Sequence, residues 1–235
     1  MVFSETVQNH VLMRFFAAVK PLHCFWISGP IIDNDYLEIP ECLCLDAGKS
    51  PGQQVGTKLF VLAGSSYNLP ASVTDFSDIA FFRGNADLAF IGDTQIWRTT
   101  NLTVTTPTWT QIANTGVKVM ALHVNFADAN NVYAVTSDQK IWISRDALSA
   151  APTWTTVTLP SATSGRAAIT TIKSSPNVVY ITCNNKVYRS DDNGLTWVNI
   201  TYNIPTTNHI NIISDEYFSS SELVFIATGS AVYYK

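Results

Sequence analysis

Charge is what this sequence has least of. Only 14% of its 235 residues are Asp, Glu, Lys or Arg, against ~25% in a typical soluble domain. With so little charge, the abundant Thr, Ser and Asn point to a hydroxyl-rich β surface rather than a helical bundle. The net charge of −4 argues against nucleic acid or an anionic membrane as a main partner. Four cysteines, Cys24, Cys42, Cys44 and Cys183, are too few for a disulfide scaffold. Cys42-Leu43-Cys44 lacks metal-ligand spacing and has no His pair nearby, so free buried thiols are expected, with no metal and no cofactor. Long apolar runs are missing too. Arg14, Lys20 and His23 interrupt the apolar stretch from Val11 to Ile32, and Pro21 breaks any helix there, so no membrane insertion is expected. No clear signal peptide is seen either.

What the chain does have, from about residue 56, is a period. Ile96-Trp97, Ile141-Trp142, Val187-Tyr188 and Val232-Tyr233 follow one another at 45, 46 and 45 residues. Ahead of each pair lies an apolar strand, led by Leu88, Val132, Val179 and Leu223, and ahead of that another, led by Asp78, Val119, Ile169 and Ile210. Trp109, Trp154 and Trp197 open a fourth, 45 and 43 residues apart. Four short β-branched and aromatic strands repeated every 40–50 residues or so are the pattern of propeller blades. The expected fold is therefore all-β, a propeller of about four four-stranded blades at residues 76–113, 118–159, 166–202 and 208–235. Residues 1–55 form a separate segment of uncertain structure. The last blade lacks its Trp strand, so the chain reads as an arc of a larger repeat protein, unless residues 55–62 supply the missing strand and close the ring.

The tightest element is Ser190-Asp191-Asp192-Asn193-Gly194-Leu195-Thr196-Trp197. Asn193-Gly194 supplies the positive φ of a reversal. Asp192, Ser190 and Thr196 offer oxygens to the turn's loose N–H groups. With Ser190, Asp192, Gly194, Thr196 and Trp197 all matching, the stretch resembles an Asp-box (BNR) repeat, as in sialidase-like and sortilin-like propellers and secreted bacterial multi-repeat proteins. Degenerate copies run from Thr100-Asn101-Leu102 to Pro107-Thr108-Trp109 and from Ser144-Arg145-Asp146 to Pro152-Thr153-Trp154. Both lack the Gly and insert three residues. The resemblance implies structural turns on the outer rim, joining third and fourth strands, with ligands gathering at the opposite end of the blades.

That end holds the second-to-third-strand turns and the loops leading into each blade. Its ligand-contact candidates are Lys118, Arg166 and His209. Asp93 and Asp138 occupy equivalent turns in neighbouring blades, and a facing carboxylate pair is what glycoside hydrolysis needs. Ordinary turn chemistry explains both equally well. A sialidase would need three convergent arginines, but Arg98, Arg145 and Arg189 follow third strands towards the box rim. His123, within a strand, reads as a satisfied sheet residue. The functional expectation is a non-catalytic extracellular or cell-surface module that binds a glycan or protein partner. The alternative is a fragment of a propeller glycoside hydrolase acting on polysaccharide.

Overall fold

A computed structural model describes residues 24–26, 42–46, 58–61, 65–70, 73, 78–161, 167–204, 209–214, 222–228 and 231–234. Among these every regular element is a strand, and no helix is long and apolar enough to cross a membrane. The chain divides into two compact units, Met1–Asp75 with Thr105–Pro107, and Phe76–Val104 with Thr108–Lys235.

The first unit carries one antiparallel sheet of four strands in chain order, β1 (Cys24–Trp26), β2 (Cys42–Asp46), β3 (Lys58–Val61) and β4 (Ser65–Asn68). Leu43 pairs with Val61, and Lys58 with Asn68. Both edges of β3 are thus taken within its own sheet. Lys58–Val61 therefore supplies no fourth strand to the last sheet, the alternative raised above. Apolar alternation alone could not say which edge this strand would choose.

The second unit repeats one meander. Its first sheet is β5 (Asp78–Phe81), β6 (Ala89–Gly92), β7 (Gln95–Thr99) and β8 (Thr110–Asn114). The second is β9 (Val119–Val124), β10 (Val132–Thr136), β11 (Lys140–Ser144) and β12 (Thr155–Thr158). The third is β13 (Ala167–Thr171), β14 (Val179–Cys183), β15 (Lys186–Ser190) and β16 (Val198–Asn199). The fourth has three described strands, β17 (His209–Ser214), β18 (Val224–Thr228) and β19 (Val232–Tyr234). The first strands β5, β9, β13 and β17 lie side by side in that order. This is a β-propeller arrangement of four-stranded blades.

Period-two alternation explains the stacking, because a strand sends neighbouring side chains to opposite faces. On β10, Tyr133 and Val135 face the third sheet, where they meet Val179, Ile181 and Tyr188. Val132 and Ala134 face the first sheet and meet Phe90 and Ile96. Second strands are therefore apolar on both faces, and every residue of β6, β10 and β14 is buried. Third-strand aromatics pack backwards, Trp142 onto the first sheet's core and Tyr188 onto the second's. Gly92 marks a close approach of the first sheet to the second: a methyl group there would stand 2.7 Å from Val119 Cγ1.

Candidate functional site

The Ser190–Trp197 turn joins β15 to β16, and its polar groups close on one another. Ser190 Oγ accepts from the Gly194 amide at 2.8 Å and donates to Asp192 Oδ1 at 2.7 Å. Asp192 Oδ1 accepts the Leu195 and Thr196 amides at 3.0 and 2.8 Å, and Thr196 Oγ1 donates to Oδ2 at 2.6 Å. Burial alone would raise the Asp192 pKa, but these donors outweigh it and hold the carboxyl at about 2. Asn193 and Gly194 sit at φ 61° and 89°, where Gly carries no Cβ penalty. Trp197 packs back onto the second sheet's core.

The same constellation recurs in both earlier sheets. Asp146 accepts Ser144 Oγ at 3.0 Å and the Thr153 amide at 2.8 Å. Asn101 accepts Thr99 Oγ1 and the Thr108 amide, both at 2.9 Å. The hydroxyl of the first copy is therefore Thr99 rather than Thr100, two residues before its acceptor as in Ser144-x-Asp146 and Ser190-x-Asp192. The residue after each acceptor donates its amide to the first-to-second-strand loop of its own sheet: Leu102 to Asp87, Ala147 to Asn130 and Asn193 to Asn177. Three inserted residues are thus accommodated without losing the hydrogen-bond plan.

At this rim the arginines clasp consecutive sheets. Arg98 donates to the carbonyls of Ala147 and Ser149, the latter at 2.9 Å. Arg145 donates to the Asn193 carbonyl at 3.0 Å and lies over the Tyr133 ring. Arg189 donates to Glu222 Oε1 at 2.8 Å and to Tyr180 Oη at 3.1 Å, while Tyr180 Oη donates to Glu222. Hydrogen bonding to Glu222 raises the Arg189 pKa. Burial, then the Glu222 carboxylate, raises that of Tyr180.

The opposite end is built from the second-to-third-strand turns and the loops leading into the first strands, which are stitched together. The Val119 amide donates to the Asp93 carbonyl at 2.7 Å, the Ser137 amide to the Lys118 carbonyl at 2.8 Å, and the Leu159 amide to the Gln139 carbonyl at 2.9 Å. Asn184-Asn185, both at positive φ, make a two-residue hairpin turn. Lys118 is exposed here, and Asp93 is half-buried in its turn. Asp138 accepts Thr136 Oγ1 at 2.6 Å and pairs with Lys140 Nζ at 2.5 Å. Burial would raise its pKa, but the Lys140 and Thr136 bonds prevail and hold it below the usual carboxylate range. Cys183 is buried and its thiol is pushed up to about 11, which makes it a poor nucleophile near neutral pH. His209 begins β17. Arg166 lies outside the described residues.

Two inner-strand groups matter more than the sequence suggested. Asp78 accepts the Leu122 amide of the next sheet at 2.7 Å and the Ile79 amide at 2.9 Å. Desolvation lifts its pKa to about 6 despite these donors. His123 Nε2 accepts the Thr171 amide of the following sheet at 3.2 Å and lies 2.9 Å from Thr171 Oγ1. Accepting at Nε2 places the proton on Nδ1. The side chain is half-buried by surface area, yet desolvation drives its pKa down to about 3. Adjacent inner strands do not share a backbone ladder, so these side chains satisfy amide groups that would otherwise be orphaned. His123 is a satisfied sheet residue. The signal for Asp78 was its place at the head of the first apolar strand.

The fold is similar to that of an ancestral GH74 enzyme, with a TM-score of 0.55 and 15% identity, over 82% of this chain and 29% of that one. It is also similar to a chain of the mitotic checkpoint complex, with a TM-score of 0.59 and 11% identity, over 82% of this chain and 56% of that one. No family model and no curated protein matches the sequence. This chain spans under two thirds of either structure's length, and at these identities the likeness speaks for the propeller fold alone.

Proposed function

We propose that this chain is a non-catalytic interaction module of Asp-box-like blades, acting outside the cell or at its surface. It presents the end that carries Lys118, Asp93, Asp138 and the Asn184-Asn185 turn to a glycan or protein partner. One observation carries the reading: Asp138, one of the two candidate catalytic carboxylates, is committed to its own turn. Lys140 and Thr136 hold Asp138 ionised, which suits a turn and not a general acid. Arg98, Arg145 and Arg189 are spent on sheet-to-sheet clasps at the other end. What remains at this end is a row of short polar loops on stitched backbone, a surface suited to recognition.

A glycoside hydrolase reading has one observation in its favour, since Asp78 carries a pKa of about 6, in the range of a general acid. Its two oxygens are already engaged by backbone amides, which is why it stands second. Glycan arrays and pull-downs with the intact chain test the first reading. A ligand whose binding weakens in Lys118→Ala or Asn185→Ala supports it, and no binder on any part of the surface removes its support. Polysaccharide turnover abolished by Asp78→Asn, Asp93→Ala or Asp138→Ala would overturn it in favour of the enzyme.

A further inference from the structure

Tyr202 breaks the local rules on the way into the fourth sheet. The Ile204 amide donates to the Thr201 carbonyl at 3.0 Å, which closes a four-residue turn. Tyr202 holds the first central position of that turn at φ 45°. Gly, Asn and Asp are the residues suited to a positive φ there, and a bulky side chain is strained. Burial does not offset the strain, since Tyr202 is 84% exposed. Nor does the core require this residue. In the second sheet Lys140 pairs with Thr158, and the next residue, Leu159, is 1% exposed in the core shared with the third sheet. In the third sheet Tyr202 stands at that level, and Ile204, two residues on, packs against the equivalent core instead. Tyr202 and Asn203 are thus a two-residue excursion, held at its base where Thr201 Oγ1 accepts the Val187 amide at 3.0 Å. A strained position with no packing to explain it points to function.

We infer that Tyr202 is a stacking platform for a sugar ring, which makes the ligand of the proposed module a glycan; the inference rests on that reading of this end. β15 and β16 pair Tyr188 with Asn199, and the Ile200 amide donates to the Val187 carbonyl. Continued, this register brings Tyr202 level with the Asn184-Asn185 turn. Asn184, Lys186 and Asn203 on these two turns are exposed as well. A side-chain amide carries both donors and an acceptor, which suits the neighbouring hydroxyls of a sugar, while the C–H face of a pyranose lies flat on an aromatic ring. Tyr presents such a face with only two side-chain torsions to fix, and the pinned turn sets the direction in which it leaves the backbone. One ring and a few amides on two turns make a small patch against the roughly 800 Å² per partner of a stable protein interface. A sugar matches that scale and a protein does not.

An array of neutral and acidic oligosaccharides, probed with the full chain, tests this, with calorimetry giving the dissociation constant for each sugar bound. Tyr202→Ala should weaken binding about tenfold or more, since an aromatic anchor carries much of the affinity at a small site. Tyr202→Phe keeps the ring face and should bind like the wild-type chain. Tyr202→Asn should lose binding yet melt no lower than wild type, because Asn tolerates the left-handed region and no packing is removed. That melt needs no ligand, and a marked loss of stability would make the ring a packing element and overturn the inference. A sugar bound equally well by Tyr202→Ala would overturn it too, while leaving the interaction-module reading in place. An array without a binder, beside a protein partner found by pull-down, would have the same effect. No binder of either kind would overturn both.

Discussion

Mild acid should separate two inner-strand side chains that do the same work at neutral pH. His123 and Asp78 each hold a backbone amide of the next sheet, but their protons act in opposite directions. The His123 pKa falls from 6.5 to about 3 on folding, so the unfolded chain takes up that proton first. Its contribution is present above pH 6.5 and is lost as pH falls towards 3. Between pH 7 and 5 the loss integrates to about 2 kcal/mol. The Asp78 pKa rises from 3.8 to about 6, so the folded chain binds that proton first. Its contribution is full below pH 3.8 and is lost as pH rises through 6. Acidification from pH 7 to 5 therefore adds about 1 kcal/mol. The carboxylates held below their ordinary values, such as Asp192, barely titrate in this window, and the comparison with each single variant cancels the other groups. Urea melts at pH 7, 6 and 5 would compare the wild-type chain with His123→Gln and Asp78→Asn. Gln keeps an oxygen for the Thr171 amide but cannot ionise. On going to pH 5, His123→Gln should gain about 2 kcal/mol relative to wild type, and Asp78→Asn should lose about 1 kcal/mol. Parallel profiles, or difference curves of the same sign, would refute the assignment of these shifts to desolvation.

Three further outcomes follow from the packing. Asp192→Ala should cost about 1–3 kcal/mol in urea melts, because it leaves the Leu195 and Thr196 amides without their acceptor. Asp192→Asn should cost markedly less, since Asn101 fills the same role in the first sheet; equal losses would show that charge and not acceptor geometry holds the turn. Gly92→Val should destabilise by about 1–3 kcal/mol through overpacking against Val119, and Val119→Ala in the same chain should restore part of it. Arg189→Met should cost about 1–3 kcal/mol by leaving Glu222 beside Tyr180 without its cation, whereas Arg189→Met combined with Glu222→Gln should recover stability. A double-mutant cycle checks that coupling.

Much of the fold was legible because the signals were local and repeated. The aromatic pairs at 45-residue spacing fall on third strands, and the doubly apolar runs at Val132 and Val179 fall on second strands, where two faces must be filled. The frame of the first box copy was not legible, because Thr99 and Thr100 offer the same hydroxyl and only the acceptor two residues on decides between them. Nor was the partner of the strand near residue 60. Alternation fixes which face a strand buries and says nothing of which edge it joins.

The site was harder to read than the fold because the chain uses the same residue types for both. With charge so scarce, an exposed carboxylate or arginine looks like chemistry, yet here Asp138, Asp146, Asp192 and the three rim arginines close turns or clasp sheets. A propeller stacks sheets whose inner and rim edges carry unpaired backbone groups, and a sequence poor in charge must assign its few ionisable groups to those positions first. On the proposed reading, function is left to the loops at the other end, where Asn, Ser, Thr and Lys118 are set on short turns. Short neutral side chains of that kind recognise a ligand by position more than by charge, so their sequence carries little trace of what they bind. Binding at that end should accordingly vary little with salt. A steep salt dependence would mean that Lys118 and its neighbours act as a charged patch.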